Sequence, residues 1–160
     1  MEKAFLKEVS THQGIIIKVC RMYCSDPHDS EDLFQEIMLQ LWKSYPQFNG
    51  LSKFSTWMYR VALNTAITRL RRDKRRPDNR RISDAEKKVP ASYAIRMDVE
   101  YDQLLQEAID TLHKFDRALL LLYLDEKSYR EIAEIMGLTE TNVGVKINRI
   151  KQRLKSMLNP

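Results

Sequence analysis

The chain is 160 residues long, 43% hydrophobic and 31% charged, a composition that indicates a globular protein and excludes a disordered one. Its net charge of +5 is gathered in two places. Arg71–Arg81 holds seven basic side chains against two acidic ones, and Thr139–Pro160 five against one, whereas Ile82–Leu138 holds seven against twelve. Two separate basic clusters point to a polyanion, nucleic acid foremost. No run approaches the ~18 apolar residues of a membrane span, and no signal-peptide core opens the sequence. It therefore predicts a cytoplasmic protein with no direct membrane insertion. Four Gly, five Pro and apolar spacings near 3.6 predict an all-α fold.

In chain order, Ala4–Tyr23 reads as one helix, with Phe5, Val9, Ile16, Val19 and Tyr23 inward and Gly14 as its weak point. Cys20 and Cys24 share a helical face and, with His28, suggest a partial metal site. Pro27 should end the helix first and no fourth ligand is evident, so reduced thiols without metal or cofactor are the better reading.

Asp29 is placed to cap a second helix over Ser30–Ser44. Leu33, Phe34, Ile37, Met38, Leu41 and Trp42 form its apolar face; Leu39 stands alone among polar residues, and the pattern by itself gives it no role. Tyr45–Gly50 is a loop with two aromatics, followed by a third helix from Lys53 to about Arg72. Phe54 and Trp57 read as core. For Phe48, Asn49 and Asn64, packing and the holding of unstacked bases remain open alternatives.

A basic burst from Arg71, then Pro77 and Pro90 with little apolar period, predict a flexible basic linker over 73–97. It separates one small helical domain, 1–72, from a second, 98–160. The second domain starts with a helix over Asp98–Leu112, with Tyr101, Leu104, Leu105, Ala108, Ile109 and Leu112 inward. A short helix over Asp116–Tyr123 is apolar all round, which suits the centre of a bundle.

Ser128-Tyr129-Arg130-Glu131 has the form of a capping box, Gly137 supplies a left-handed stop, and Thr139 caps a last helix running to about Leu158. Val143, Ile147, Ile150 and Leu154 make its inward stripe. Asn142, Lys146, Arg149 and Arg153 repeat the spacing one position earlier as a basic outward ridge. A plain helical hairpin with a solvated charged face has the same spacing, but the combination describes a helix-turn-helix inside a four-helix domain.

Asp32-Leu33-Phe34-Gln35-Glu36-Ile37-Met38-Leu39-Gln40-Leu41-Trp42 resembles the D-L-x-Q-E-x-x-L-x-x-W signature of bacterial sigma factor region two. Phe54-Ser55-Thr56-Trp57-Met58-Tyr59-Arg60-Val61-Ala62-Leu63-Asn64 is similar to the same family's F-x-T-W-L-x-R-I-A-x-N. Ser128–Gly137 is similar to its region-four helix-turn-helix. Three motifs in family order cover nearly the whole chain, in the manner of the small extracytoplasmic-function type that has regions two and four alone.

The resemblance implies a promoter-specificity subunit for core RNA polymerase rather than an enzyme, with no cofactor, no small-molecule substrate and an anti-sigma factor as a further partner. It assigns polymerase binding to Asp32, Gln35, Glu36 and Leu39, and so gives Leu39 a role. It assigns the minus-ten element to Phe48, Asn49, Arg60 and Asn64, with Arg71 and Arg72 from the basic burst beside them. It assigns the minus-thirty-five element to Thr141, Asn142, Lys146 and Arg149, with Arg130 and Arg153 on phosphates. Two departures stand out: Gly144 where the family usually has Lys or Arg, a place where backbone can approach DNA, and Val145 where Ser is frequent. The competing reading is a free-standing helix-turn-helix regulator. An enzyme acting on nucleic acid has no support, because His12, His28 and His113 are scattered and no carboxylate or nucleophile constellation appears.

Overall fold

The computed structural model describes residues 2–74 and 99–159, with side chains for 2–73 and 103–159. Its helices are α1 (Glu2–Thr11), α2 (Gln13–Tyr23), α3 (Pro27–Ser44), α4 (Phe54–Lys74), α5 (Val99–Asp110), α6 (Lys114–Leu124), α7 (Tyr129–Met136) and α8 (Glu140–Leu158). A single 3-10 turn, Tyr45–Gln47, follows α3. Apart from 73 and 74, the expected linker lies outside the described residues, as does the side chain of Tyr101.

The N-terminal half departs from the pattern at two boundaries. The expected single helix Ala4–Tyr23 breaks at His12, whose φ of −111° and ψ of 20° leave the helical region two residues before Gly14. The His12 ring and the Thr11 hydroxyl bond back to the carbonyls of Glu8 and Lys7, four residues upstream, and so close the end of α1. Pro27 starts α3 instead of merely ending α2. Asp26, rather than Asp29, is the cap, accepting from the His28 N–H at 3.0 Å. A proline at the first helical position loses nothing, since that N–H has no partner in any helix.

The C-terminal half follows its pattern closely. Both bonds of the capping box form: the Glu131 N–H donates to Ser128 Oγ at 3.1 Å, and the Ser128 N–H to Glu131 Oε1 at 3.3 Å. Gly137 ends α7 at φ 69°, and Thr139 Oγ1 accepts from the Asn142 N–H at 3.1 Å. Ala118–Leu122 are all buried, as a bundle-centre helix requires, and Val143, Ile147 and Ile150 point inward. Leu104, expected inward, is 52% exposed; among the described side chains of α5, Ala108 and Ile109 in its last turns are the buried ones.

One core cluster runs through both halves. Helix α4 makes this possible with two adjacent buried stripes: Met58, Ala62 and Arg69 on one, and Tyr59, Leu63 and Ile67 on the next. The first stripe serves the N-terminal half. Arg69 is 6% exposed; its guanidinium lies 3.5 Å from Asp29, 3.7 Å from Asp73 and 4.0 Å from both Asp32 and Glu36, and donates to the Asp29 carbonyl at 3.1 Å.

The second stripe reaches across the molecule. The fully buried Tyr59 donates its hydroxyl proton to Asp125 in the turn after α6, and the Lys18 ammonium of α2 pairs with the same carboxylate. Burial pushes the Asp125 carboxyl up, but the Lys18 and Tyr59 hydrogen bonds, with Lys127, outweigh it and hold the group below its ordinary range. Burial, with the Asp125 carboxylate, pushes the Tyr59 phenol far up, so it remains a donor. The Tyr23 hydroxyl adds a further bridge, donating to the Lys114 carbonyl at 2.6 Å.

Candidate nucleic-acid and partner surfaces

On α3 the stripe Leu33, Ile37 and Leu41 is sealed, which turns Asp32, Gln35 and Leu39 to solvent. Leu39 is 50% exposed and Trp42, one turn on, 42%, its ring edge held against Phe5 at 5.1 Å between centroids. A Leu and a Trp one turn apart make a small apolar strip rimmed by acid and amide groups, the form of a protein-binding patch. Glu36 is only partly exposed, because Arg72 takes its carboxylate at 2.9 Å.

The loop after α3 is built on aromatic contacts. Phe48 sits 5.2 Å from Trp57 and 5.5 Å from Phe54, with Tyr45 and His12 completing the group. Phe48 is therefore half-buried packing that fixes the loop, while Asn49 folds its side-chain oxygen onto the Leu51 N–H at 3.1 Å. Gly50, at φ 77°, then turns the chain and leaves Leu51 88% exposed. Arg60 and Asn64 share a face of α4, one turn apart, below this loop. Arg71 and Arg72 lie ~11 Å beyond Asn64 along the helix axis and do not join them.

Each arginine of this group is engaged within the chain. Arg60 donates to the Glu134 carbonyl of α7 at 2.9 Å, Arg71 lies 5.9 Å over the Phe115 ring, and Arg72 holds Glu36. The Glu131 carboxyl is held below its ordinary range, first by the Ser128 N–H, with Lys127 and Lys53 adding to it. Lys53 thus brings the start of α4 next to the cap of α7.

On α8, Thr141, Asn142, Arg149 and Arg153 are exposed, and Lys146 is partly so. Lys146, Arg149 and Arg153 line a cleft of about 220 Å³ with Ile150 and the carboxylate of Asp116, so the basic ridge is the shoulder of α8 nearest α6. Diametrically opposite the buried stripe stand Thr141, Val145 and Asn148. The spacing did not single out the last two, and Val145 is 43% exposed. The signal was available: a position four residues from Thr141 and two beyond the buried Val143 has to face away from the core. Gly144 lies beside α7, where the Tyr129 ring comes within 3.4 Å of the place a Cβ would take. That is an ordinary contact distance, so packing against α7 does not itself require glycine there. Arg130 is exposed at the start of α7.

Among the described residues no group of three or more His, Cys, Asp or Glu could hold a metal ion. Neither Cys20 nor Cys24 is in a disulfide; burial pushes the Cys20 thiol up to about 11. No helix among the described residues is long and apolar enough to cross a membrane.

Two family models match: Sigma-70 region 2 over residues 9–76 and Sigma-70 region 4 over residues 102–154. The chain is 31% identical to the ECF RNA polymerase sigma-E factor of Haemophilus influenzae, over 99% of this chain and 89% of that one. It is 28% identical to the ECF sigma factor SigW of Bacillus subtilis, over 98% and 90%. In fold it is similar to the sigma factor RpoE of Bartonella quintana, solved in complex with the anti-sigma factor NepR, at a TM-score of 0.74, 21% identity and coverage of 98% and 97%. Region-two and region-four matches together span most of the sequence in the order its motifs stand, and the chain belongs to the sigma-70 family, among the ECF RNA polymerase sigma factors.

Proposed function

We propose that this chain binds core RNA polymerase through the α3 surface of Asp32, Gln35, Glu36 and Leu39 and directs it to promoters. The N-terminal loop and α4 take the minus-ten element, with Asn49, Arg60 and Asn64 as the polar contacts, Phe48 as the packing that holds the loop, and Arg71 and Arg72 on backbone phosphates. Helix α8 enters the major groove at the minus-thirty-five element. Asn142 and Arg149 suit base edges, Thr141, Val145 and Asn148 occupy the centre of the approaching face, and Lys146, Arg130 and Arg153 suit phosphates.

The observation that carries this reading is the half-exposed Leu39, which with Trp42 makes an apolar strip on the outer face of α3. It is an apolar contact that a solitary DNA-binding protein does not need, and it stands in the same chain as the basic ridge of α8. The two domains suited to these tasks are 1–72 and 98–160, joined by the basic segment between them.

The protein acts in the cytoplasm as an initiation factor, without catalytic groups, cofactor or small-molecule substrate of its own. An anti-sigma factor is its further partner, a pairing that the Bartonella neighbour's complex supports. The test is to add the purified chain to core polymerase and map transcription starts on a supercoiled genomic library. New starts that depend on the chain are expected. Their absence, with tight sequence-specific DNA binding by the chain alone, would replace this reading with that of a free-standing regulator.

A further inference from the structure

Resting on the reading of α8 just given, we propose that Val145 makes this chain select thymine at one position of the minus-thirty-five element. Its methyl groups pack against the C5-methyl that thymine, alone of the four bases, projects into the major groove.

Val145 stands in the second turn of α8, in the N-terminal part from which a recognition helix reaches base edges. It lies two positions beyond the buried Val143 and two before the buried Ile147, so its side chain points directly away from the core. It is 43% exposed, and among the described residues it is the one exposed apolar side chain of α8; Leu154, Met157 and Leu158 are partly covered. Its neighbours on the helix surface are Thr141 and Asn142 one turn before and Asn148 and Arg149 one turn after, all exposed.

A solvated helix face gains nothing from valine at this place. The β-branch lowers helix propensity, and the methyl groups stay in water. In the groove the same side chain discriminates twice. Against thymine, two apolar groups leave water together. Against cytosine, Val145 strips water from the N4 amino group and offers it no acceptor, and a donor left dry in this way is penalised. The amides and the guanidinium around Val145 take hydrogen bonds from other bases, so the methyl contact is held within a polar frame.

The test changes one methyl group at a time. Elements are taken from the starts mapped with core polymerase or, if the chain binds DNA unaided, from duplex sites that it selects itself. Each thymine of the element, on either strand, is exchanged for deoxyuridine, which pairs in the same way and lacks only the methyl. Competition for the full chain, with core polymerase where the starts supplied the element, gives relative affinities. Wild type is expected to lose about three- to fivefold at one thymine. Val145→Ala should bind the thymine and deoxyuridine forms alike at that position, and should melt as wild type does. There too, 5-methylcytosine should outcompete cytosine for wild type and not for the variant. The proposal is overturned if no thymine is sensitive in wild type, or if the sensitivity persists in Val145→Ala. It is also overturned if the variant binds core polymerase more weakly without DNA, which would make Val145 a protein contact. A Val145-dependent thymine at self-selected sites, with no polymerase-dependent starts, would sink the functional reading and leave this one standing; mapped starts without such a thymine would do the reverse.

Discussion

The ring of Tyr129, at the first position of α7, lies close enough to α8 that a Cβ on Gly144 would meet it at 3.4 Å, an ordinary contact distance. The helix carries a glycine in its interior with no positive φ to justify it. Gly144→Ala should therefore stabilise the C-terminal half, by about 0.5–1 kcal/mol of helix propensity. Promoter selectivity should stay as it is. Thermal melts and transcription from a fixed promoter check the two parts, and a loss of selectivity would return Gly144 to the DNA surface.

Arg69 is sealed among the carboxylates of Asp29, Asp32, Glu36 and Asp73. Arg69→Met removes the cation and leaves its partners repelling one another. Breaking a buried pair costs 3–5 kcal/mol, and because these carboxylates are partly wet the loss should fall near the lower end, about 3 kcal/mol. Urea melts measure it; a loss under ~0.5 kcal/mol, the range of ordinary surface changes, would show the cluster contributes little.

Leu39→Ala should leave the melting temperature almost unchanged, since half the side chain is already in water, yet weaken binding to core polymerase. A lower melting temperature with normal polymerase binding would contradict the assignment. On α8, Asn142→Ala and Arg149→Ala should each cost ~1–3 kcal/mol of promoter discrimination, read by competition between matched and mutated sites.

Asp125 gives the contact between halves a dependence on acid. Its carboxyl is held below the ordinary 3.8, so the ionised form is the one the folded state favours. A group depressed in this way contributes stability above its unfolded value and loses it as pH falls through the folded one. The stability difference between wild type and Asp125→Asn should be full near neutrality and shrink below pH 3.8. A difference that stays constant into acid would mean the carboxylate's charge is not what binds Lys18 and Tyr59.

The two thiols should separate chemically. Cys20 is 3% exposed, with its thiol pushed to about 11, while Cys24 is only partly covered. Iodoacetamide at neutral pH should label Cys24 first and Cys20 only on unfolding, which mass spectrometry of timed samples shows. Equal rates would mean α2 opens readily.

Much of the C-terminal half could be read in advance because its signals are local. A capping box, a left-handed glycine and a four-three-four apolar spacing each act within a turn or two, and Ser128, Gly137 and Val143 stand as those rules require. Apart from the start of α3, what escaped was set by partners distant in sequence. Pro27 reads as a stop until Asp26 is seen to cap it. The sequence reading passed over Arg69, although it falls on the stripe of Met58 and Ala62; four carboxylates, three of them from another helix, make that position tolerable. Tyr59 was not among the residues read as core in its helix, and its partner is 66 residues away. Of the surfaces, Leu39 stood out as a violation of a pattern and the α8 ridge as the repeat of one, whereas Val145 and Asn148 follow only once the inward stripe is used to find the opposite face.

With α4 walled in on two sides, only Asn64, Thr68, Arg71 and Arg72 of its described side chains stand exposed. A lineage that respells its promoters has little room to do so on this helix: most other substitutions there would disturb a core before they altered a contact. Novel minus-ten preferences should arise instead at the Asn49–Lys53 loop, where residues are wet and exchange is cheap, and α8 should drift independently of both.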